Sequence, residues 1–320
     1  MAHQPVAARQ AALAFTLLLL PCAASSQTTD LWRMNALPGT GQTRKYTATP
    51  GEDADHPGLA PSFRLLKAGI VLDDVTGLVW QQTDGGEMTW AIAQTYCVAL
   101  QLGGFHDWRL PGPHESFSIL NHGRNPALDA TYFPRTEAEY WWTSVALQGD
   151  SNRIWVTNSG GGLGPHPSNE TVSAGGPKRF DARCVRAGQP VPSPAPTRFV
   201  LHSDGSVLDR ATGLVWLVAA QQIMTWEEAL ALASARAKED KTGWRLPNIK
   251  ELDTLDDPAF VHPAIDRKIF PSVLPAPVWS STTLFNREPT RAWIVDFNLG
   301  IVTYDLKTVR HIVLIVHGAD

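Results

Sequence analysis

The chain has 320 residues, room for about two ordinary domains, and its 43% apolar and 18% charged content describes a folded polypeptide with a core rather than a disordered one. A net charge of −4 lacks the basic balance that nucleic-acid binding asks for, so no nucleic-acid partner is expected.

At the N-terminus, Arg9 precedes the apolar run AALAFTLLLL (11–20) and the small residues of PCAASSQ, the pattern of a signal peptide over 1–24. The run is short for a membrane span and no later stretch is long and apolar enough, so no transmembrane segment is expected in the mature chain. Cys22 would suit a lipid anchor, but Pro21 stands where a lipobox has a small residue. The lesser reading is therefore a lipoprotein, and the preferred one is a periplasmic or secreted protein.

Residues 25–62 form a lead-in rich in Gly, Pro and Thr, with few regular elements expected. A first domain follows over 63–188. VLDDVTGLVW (71–80) reads as a turn and a short apolar strand. Thr89 is an N-cap candidate for a helix that puts Trp90, Ala93, Cys97 and Leu100 on one face. DWRLPGPHE (107–115) leads into a second helix with Gly112 at the cap and Pro113 at the first helical position. EYWWTSVAL and RIWVTN read as strands.

The Pro-rich stretch 189–197 reads as a stiff spacer, and a second domain occupies 198–320. It repeats the first. VLDRATGLVW (207–216) follows its counterpart by 136 residues (207 − 71), and GWRLPNIKE (243–251) follows DWRLPGPHE by the same offset. Thr225–Glu228 and Asn248–Glu251 are capping boxes. Both copies therefore run strand, helix, helix, then several strands, an α+β order. A period this long means two whole domains rather than a solenoid.

After signal cleavage the cysteines are Cys97 and Cys184, both in the first copy, facing Ala233 and Ile315 in the second. Joint absence from one copy in an exported protein suits a disulfide, with a reactive thiol as the competing reading.

DxxTGLVW, MTWxxA, the helix cysteine, DWRLPxxxE, FP, WWTS and RCVR (183–186) together resemble the family named after the C-terminal domain of the Legionella collagen-like protein (Lcl_C), in both copies. Function is unknown for most of that family. The resemblance implies two tandem C-type-lectin-like domains, each with two helices and a mainly antiparallel twisted sheet, related in outline to formylglycine-generating enzymes. It also implies a staple from the helix cysteine to the last strand.

Ten of the twelve tryptophans fall into matched pairs, Trp108 with Trp244 among them, and read as core; Trp32 and Trp141 are unmatched and are the candidate exposed platforms. Arg109 with Glu115, and Arg245 with Glu251, would suit an anionic ligand, but an ion pair tying loop to helix is the favoured reading. The long Gly-rich stretch 158–180 offers Asn158, His166 and Asn169 as binding residues on a recognition loop, against a functionless insertion. Arg287 and Glu288 sit in a loop that only loosely resembles a calcium-binding lectin loop, and Glu52, Asp53 and Asp55 read as a solvated acidic turn, so no cofactor or metal is expected.

No nucleophile-elbow, phosphate-loop or zinc-protease motif occurs. The expected function is an exported, non-catalytic protein whose paired domains bind a glycan or envelope polysaccharide. An assembly factor docking an envelope protein is the alternative, and an enzyme of the formylglycine-generating type the lesser one.

Overall fold

The computed structural model describes residues 27–67, 69–134, 138–172, 179–186, 189–192, 196–217, 223–285 and 289–318. The expected signal peptide, the middle of the spacer, and Arg287 with Glu288 lie outside them.

The first copy contains β1 (Phe63–Lys67), β2 (Ile70–Asp73), β3 (Val79–Gln81), α1 (Trp90–Ala99), α2 (Pro113–Ser118), β4 (Ala138–Leu147), β5 (Asp150–Asn158), β6 (Leu163–Pro167), β7 (Arg179–Asp181) and β8 (Val185–Arg186). The second contains β9 (Phe199–Leu201), β10 (Val207–Asp209), β11 (Leu214–Leu217), β12 (Ile223–Met224), α3 (Trp226–Asp240), α4 (Ile249–Asp253), β13 (Pro277–Thr283), β14 (Arg291–Asp296), β15 (Ile301–Leu306), β16 (His311–Ile312) and β17 (Ile315–Gly318). The class is α+β, with few helices and mainly antiparallel sheets.

Local chemistry explains the repeated motifs. In DxxTG, Asp73 Oδ1 accepts the N–H groups of Val75 and Thr76, and Thr76 Oγ1 accepts that of Leu78. Asp209 and Thr212 repeat the turn on Ala211 and Leu214. The turn closes on Gly77 at φ +73° and Gly213 at φ +71°, a conformation that glycine adopts at no steric cost. The indole of Trp90 donates to the carbonyl of Thr143, as that of Trp226 does to Ser280; Trp142 donates to Met88, as Trp279 does to Met224. These rings pin each helix to its sheet. Each ring that is fully buried contributes about 2–3 kcal/mol through burial alone.

Arg109 forms a two-pronged pair with Glu115 at 2.7 and 2.6 Å, and Arg245 repeats it with Glu251 at 2.6 and 2.7 Å. Each glutamate also accepts the N–H that opens its helix, from Gly112 or Asn248. The loop-to-helix ion pair is thus the role of both arginines. Cys97 and Cys184 form a disulfide joining α1 to the residue that opens into β8, and Ala233 and Ile315 fill the same place in the second core.

The sequence reads as two domains joined by a stiff spacer; the structure also joins them edge to edge. Val302 of β15 pairs with Leu163 of β6, giving one nine-stranded sheet in the order β12-β16-β13-β14-β15-β6-β5-β4-β7. From β16 to β7 the order is palindromic: β4 corresponds to β13, β5 to β14, β6 to β15 and β7 to β16. The copies are related by a local two-fold about the β6–β15 pair. Two four-stranded sheets, β1-β2-β3-β8 and β17-β11-β10-β9, flank it.

The lead-in has few regular elements, as expected, but its acidic cluster needs correction. Residues 27–33 form a 3-10 helix against α2, and 53–55 form another against β13. Asp53 is 1% exposed and accepts hydrogen bonds from Thr40 and Thr282, while Glu52 is also buried. They therefore do not belong to a solvated acidic turn. Gln42 exchanges two hydrogen bonds with the backbone of Thr283. The lead-in bridges both copies along the junction.

Candidate functional site

The junction holds two groups of functional interest: a buried polar seam and an open cleft. In the seam, His114 Nδ1 lies 3.0 Å from Asp30 Oδ1, and its Nε2 lies 3.2 and 3.1 Å from the carbonyl oxygens of Asp253 and Asp256. All three partners are acceptors, so both ring nitrogens must donate and the imidazole is charged. Burial opposes that charge, but the Asp30 carboxylate outweighs it and pushes the pKa up to about 10. Lys250, at the equivalent position in α4, donates to the carbonyls of Ser118 and Gly39 at 2.6 and 3.1 Å. Burial pushes its pKa down to about 7. Each side chain reaches a carbonyl at the C-terminal end of the other copy's helix, of Asp253 or of Ser118, where unpaired carbonyls favour positive charge. The seam is closed to solvent, with His114 3% and Lys250 1% exposed. It is a clamp rather than a site.

The cleft lies on the β6–β15 side, with a volume of about 440 Å³. From the first copy, Glu139 and Tyr140 of β4 and Asn158 at the end of β5 line it; from the second, Thr303 and Tyr304 of β15 face them across Trp293. Asn158 Oδ1 accepts the N–H groups of Gly160 and Gly162 and so shapes the turn that delivers Ser159, whose hydroxyl bonds Glu139. Tyr140 is held in a stack, 4.7 Å from Phe180 and 4.7 Å from His166. Tyr304 stands edge-on to Trp293 at 5.6 Å and is 41% exposed. Planar amide and carboxylate groups beside the exposed Tyr304 ring make a surface suited to a polar, ring-bearing ligand.

Of the residues proposed from sequence, Asn158 lines this cleft and His166 buttresses it from behind Tyr140. Asn169 is exposed on the turn after β6 and does not line it. Trp141 requires correction: it is no exposed platform but is 6% exposed, its indole donating to Asp84 at 3.3 Å and its ring facing Arg183. Asp84, Asp181 and Arg183 join it in a buried network, where burial and the Asp84 charge push the Asp181 pKa up to about 7. The second copy replaces Trp141 by Val278, Asp181 by Ile312 and Arg183 by Leu314, so the ring was unmatched because its whole polar setting is absent there. The 158–180 stretch is also corrected, since β6 lies inside it and Leu163 is buried at the junction.

Tyr140 and Tyr304 were missed by the tryptophan comparison. Their counterparts are Pro277 and, by strand register, Pro165; Tyr96 and Tyr132 likewise face Leu232 and Ile269, so a tyrosine comparison would not have set these two apart. Among the described residues, no group of three or more His, Cys, Asp or Glu side chains could hold a metal ion, and no helix is long and apolar enough to cross a membrane.

No curated protein matches the sequence. The profile of the Lcl C-terminal domain matches residues 69–186 and again residues 205–317, well over half of the chain. The two copies that share one sheet, one carrying the disulfide and one without it, are therefore two tandem members of a single domain type, and the chain belongs to the Lcl C-terminal domain family.

Proposed function

We propose that this chain is an exported, non-catalytic binding protein that holds a glycan or envelope polysaccharide in the cleft between its two copies. The observation that carries the reading is a cleft lined from both copies, with the exposed ring of Tyr304 from the second beside Glu139 and Asn158 from the first. Tyrosine offers an apolar face for a sugar ring with a polar tip, and planar amides and carboxylates bind vicinal hydroxyls. A C-type-lectin-like description of each copy is part of the same proposal, supported by two helices on a mainly antiparallel sheet and a helix-to-strand disulfide. The disulfide also supports export to an oxidising compartment.

The test is a glycan array probed with residues 25–320, including sulfated and bacterial envelope polysaccharides, with calcium and with chelator. Selective binding that falls about ten-fold or more in Tyr304→Ala and in Asn158→Ala supports the reading. Wild-type protein that retains no polysaccharide overturns it.

An assembly factor docking an envelope protein is the second reading, and α1 favours it. Ile92 is 56% and Val98 71% exposed on a helix without a charged residue. On α3 the lead-in touches the matching region instead, through Thr47 on Glu227 and Ser234 on the carbonyl of Pro50, and the residue facing Ile92 is the charged Glu228.

A further inference from the structure

A second cleft, of about 500 Å³, opens in the outer end of the second copy, away from the junction. Its floor is Leu208, Val215 and Leu217, its wall Trp244, and its rim His317 and Arg236. The first copy shows what belongs there. The equivalents of Leu208, Val215, Trp244 and Arg236 are Leu72, Val79, Trp108 and Leu100, and they belong to one packed apolar cluster. Three side chains plug that space in the first copy: Ile70, Leu102 and Phe105. Phe105 stands edge-on to Trp108 at 6.5 Å, beneath the guanidinium of Arg186 at 3.9 Å. It is delivered by a tight turn in which Leu102 and Phe105 exchange backbone hydrogen bonds across Gly103 and Gly104.

The second copy removes all three parts of the plug together. By sequence offset Ser206 stands for Ile70, Lys238 for Leu102 and Lys241 for Phe105. Helix α3 runs on through Asp240 where the first copy makes the Leu102–Phe105 turn, so the turn is lost and both lysines are exposed. The walls remain. Trp244 keeps its place at 6% exposure, His317 packs edge-on against it at 4.4 Å where Arg186 stands in the first copy, and Asp240 lies on the same rim. A slot with an apolar floor and an indole wall, lacking the ring that fills its twin, is shaped for a ring from outside.

We propose that this cleft is a binding site for an aromatic side chain presented by a turn of a partner polypeptide, the external counterpart of Phe105. The mixed rim of Arg236, Asp240 and His202 suits the backbone and polar neighbours of such a turn better than it suits a wholly apolar ligand. This site is separate from the cleft at the junction and does not depend on it.

The experiment uses the mature chain and N-acetyl-L-phenylalanine amide as probe, followed by ligand-observed NMR, with N-acetyl-L-alanine amide and a methyl glucoside as comparators. Wild type and Tyr304→Ala should bind the phenylalanine probe equally, and the comparators about ten-fold more weakly. Ser206→Ile with Leu208→Phe, both at positions that line the cleft, fills it from within and should abolish binding while holding or raising Tm. Arg236→Leu, a milder rim change, covers the case in which the double variant misfolds, and should weaken binding. Phe105→Ala should open the twin slot and double the probe stoichiometry. Binding of the phenylalanine probe that is absent from wild type, unchanged by both cleft variants, or displaced by the glucoside overturns the proposal.

Discussion

Asp30 caps a helix that begins more than eighty residues later: its Oδ2 accepts the backbone N–H of His114 at 3.0 Å. In the second copy Asn248 performs the same task from the cap position itself, accepting the N–H groups of Lys250 and Glu251. The first copy has Gly112 at the cap, and a Cβ there would lie 2.3 Å from Asp30 Oδ2. Glycine thus makes room for a carboxylate that also pairs with the His114 ring. Asp30→Ala is expected to destabilise the protein by about 3–5 kcal/mol, because a buried imidazolium loses its partner and a helix loses its cap. Urea denaturation measures it, and a loss below about 1 kcal/mol would sink the idea that Asp30 holds the seam.

His114 and Lys250 should pull stability in opposite directions with pH. His114 has its pKa raised to about 10, so its contribution is complete below about 6.5 and is lost as pH rises toward 10. Lys250 has its pKa lowered to about 7, so its charge disfavours the fold at lower pH, and stability returns as pH rises from 7 toward 10.5. The two slopes offset each other in the native chain. Removing Lys250 as Lys250→Met should leave a steeper fall in stability between pH 7 and 9.5 than wild type shows. His114→Gln should do the reverse. Unfolding midpoints at three pH values decide it, and parallel profiles for all three proteins would refute the assignment.

The disulfide closes a span of 87 residues, for which chain entropy suggests a loss of about 4 kcal/mol when it is removed. Cys97→Ala with Cys184→Ile copies the residues of the second core and should cost little beyond that. Cys97→Ser with Cys184→Ser should be worse, since it buries two hydroxyls in an apolar cluster. Thermal melts of both pairs test the ranking.

At the junction, Leu163 is 2% exposed and is the residue of β6 that pairs with Val302. Leu163→Asp should cost about 3 kcal/mol or more and raise hydrogen exchange in β6 and β15 together. Replacing 158–174 by a short Gly-Ser turn, harmless if the stretch were a free loop, should do at least as much damage.

Much of each copy was legible in the sequence because its signals are local. Thr225 with Glu228, and Asn248 with Glu251, are capping boxes that close as read. Arg109 and Arg245 lie six residues from the glutamates they bind, and the cysteines and the matched tryptophans announce a shared core. The junction was not legible. Its contacts join Asp30 to His114, Lys250 to Gly39 and Leu163 to Val302, pairs with no periodicity and no fixed spacing. A Gly-rich composition also hid β6, whose strand character comes from the neighbours on either side rather than from its own residues. The cleft that Tyr304 lines was invisible for the same reason, since only that pairing sets residues of both copies side by side.

The local two-fold has one more implication. Two separate, identical chains meeting in this way would have to present the same residue on both sides of their axis. Fusion into one polypeptide lifts that restriction, and it makes association independent of protein concentration. Histidine can then stand on one side and lysine on the other, a staple in one half and none in the other, a tyrosine where its twin has proline. The chain keeps the geometry of a dimer while each half is free to specialise.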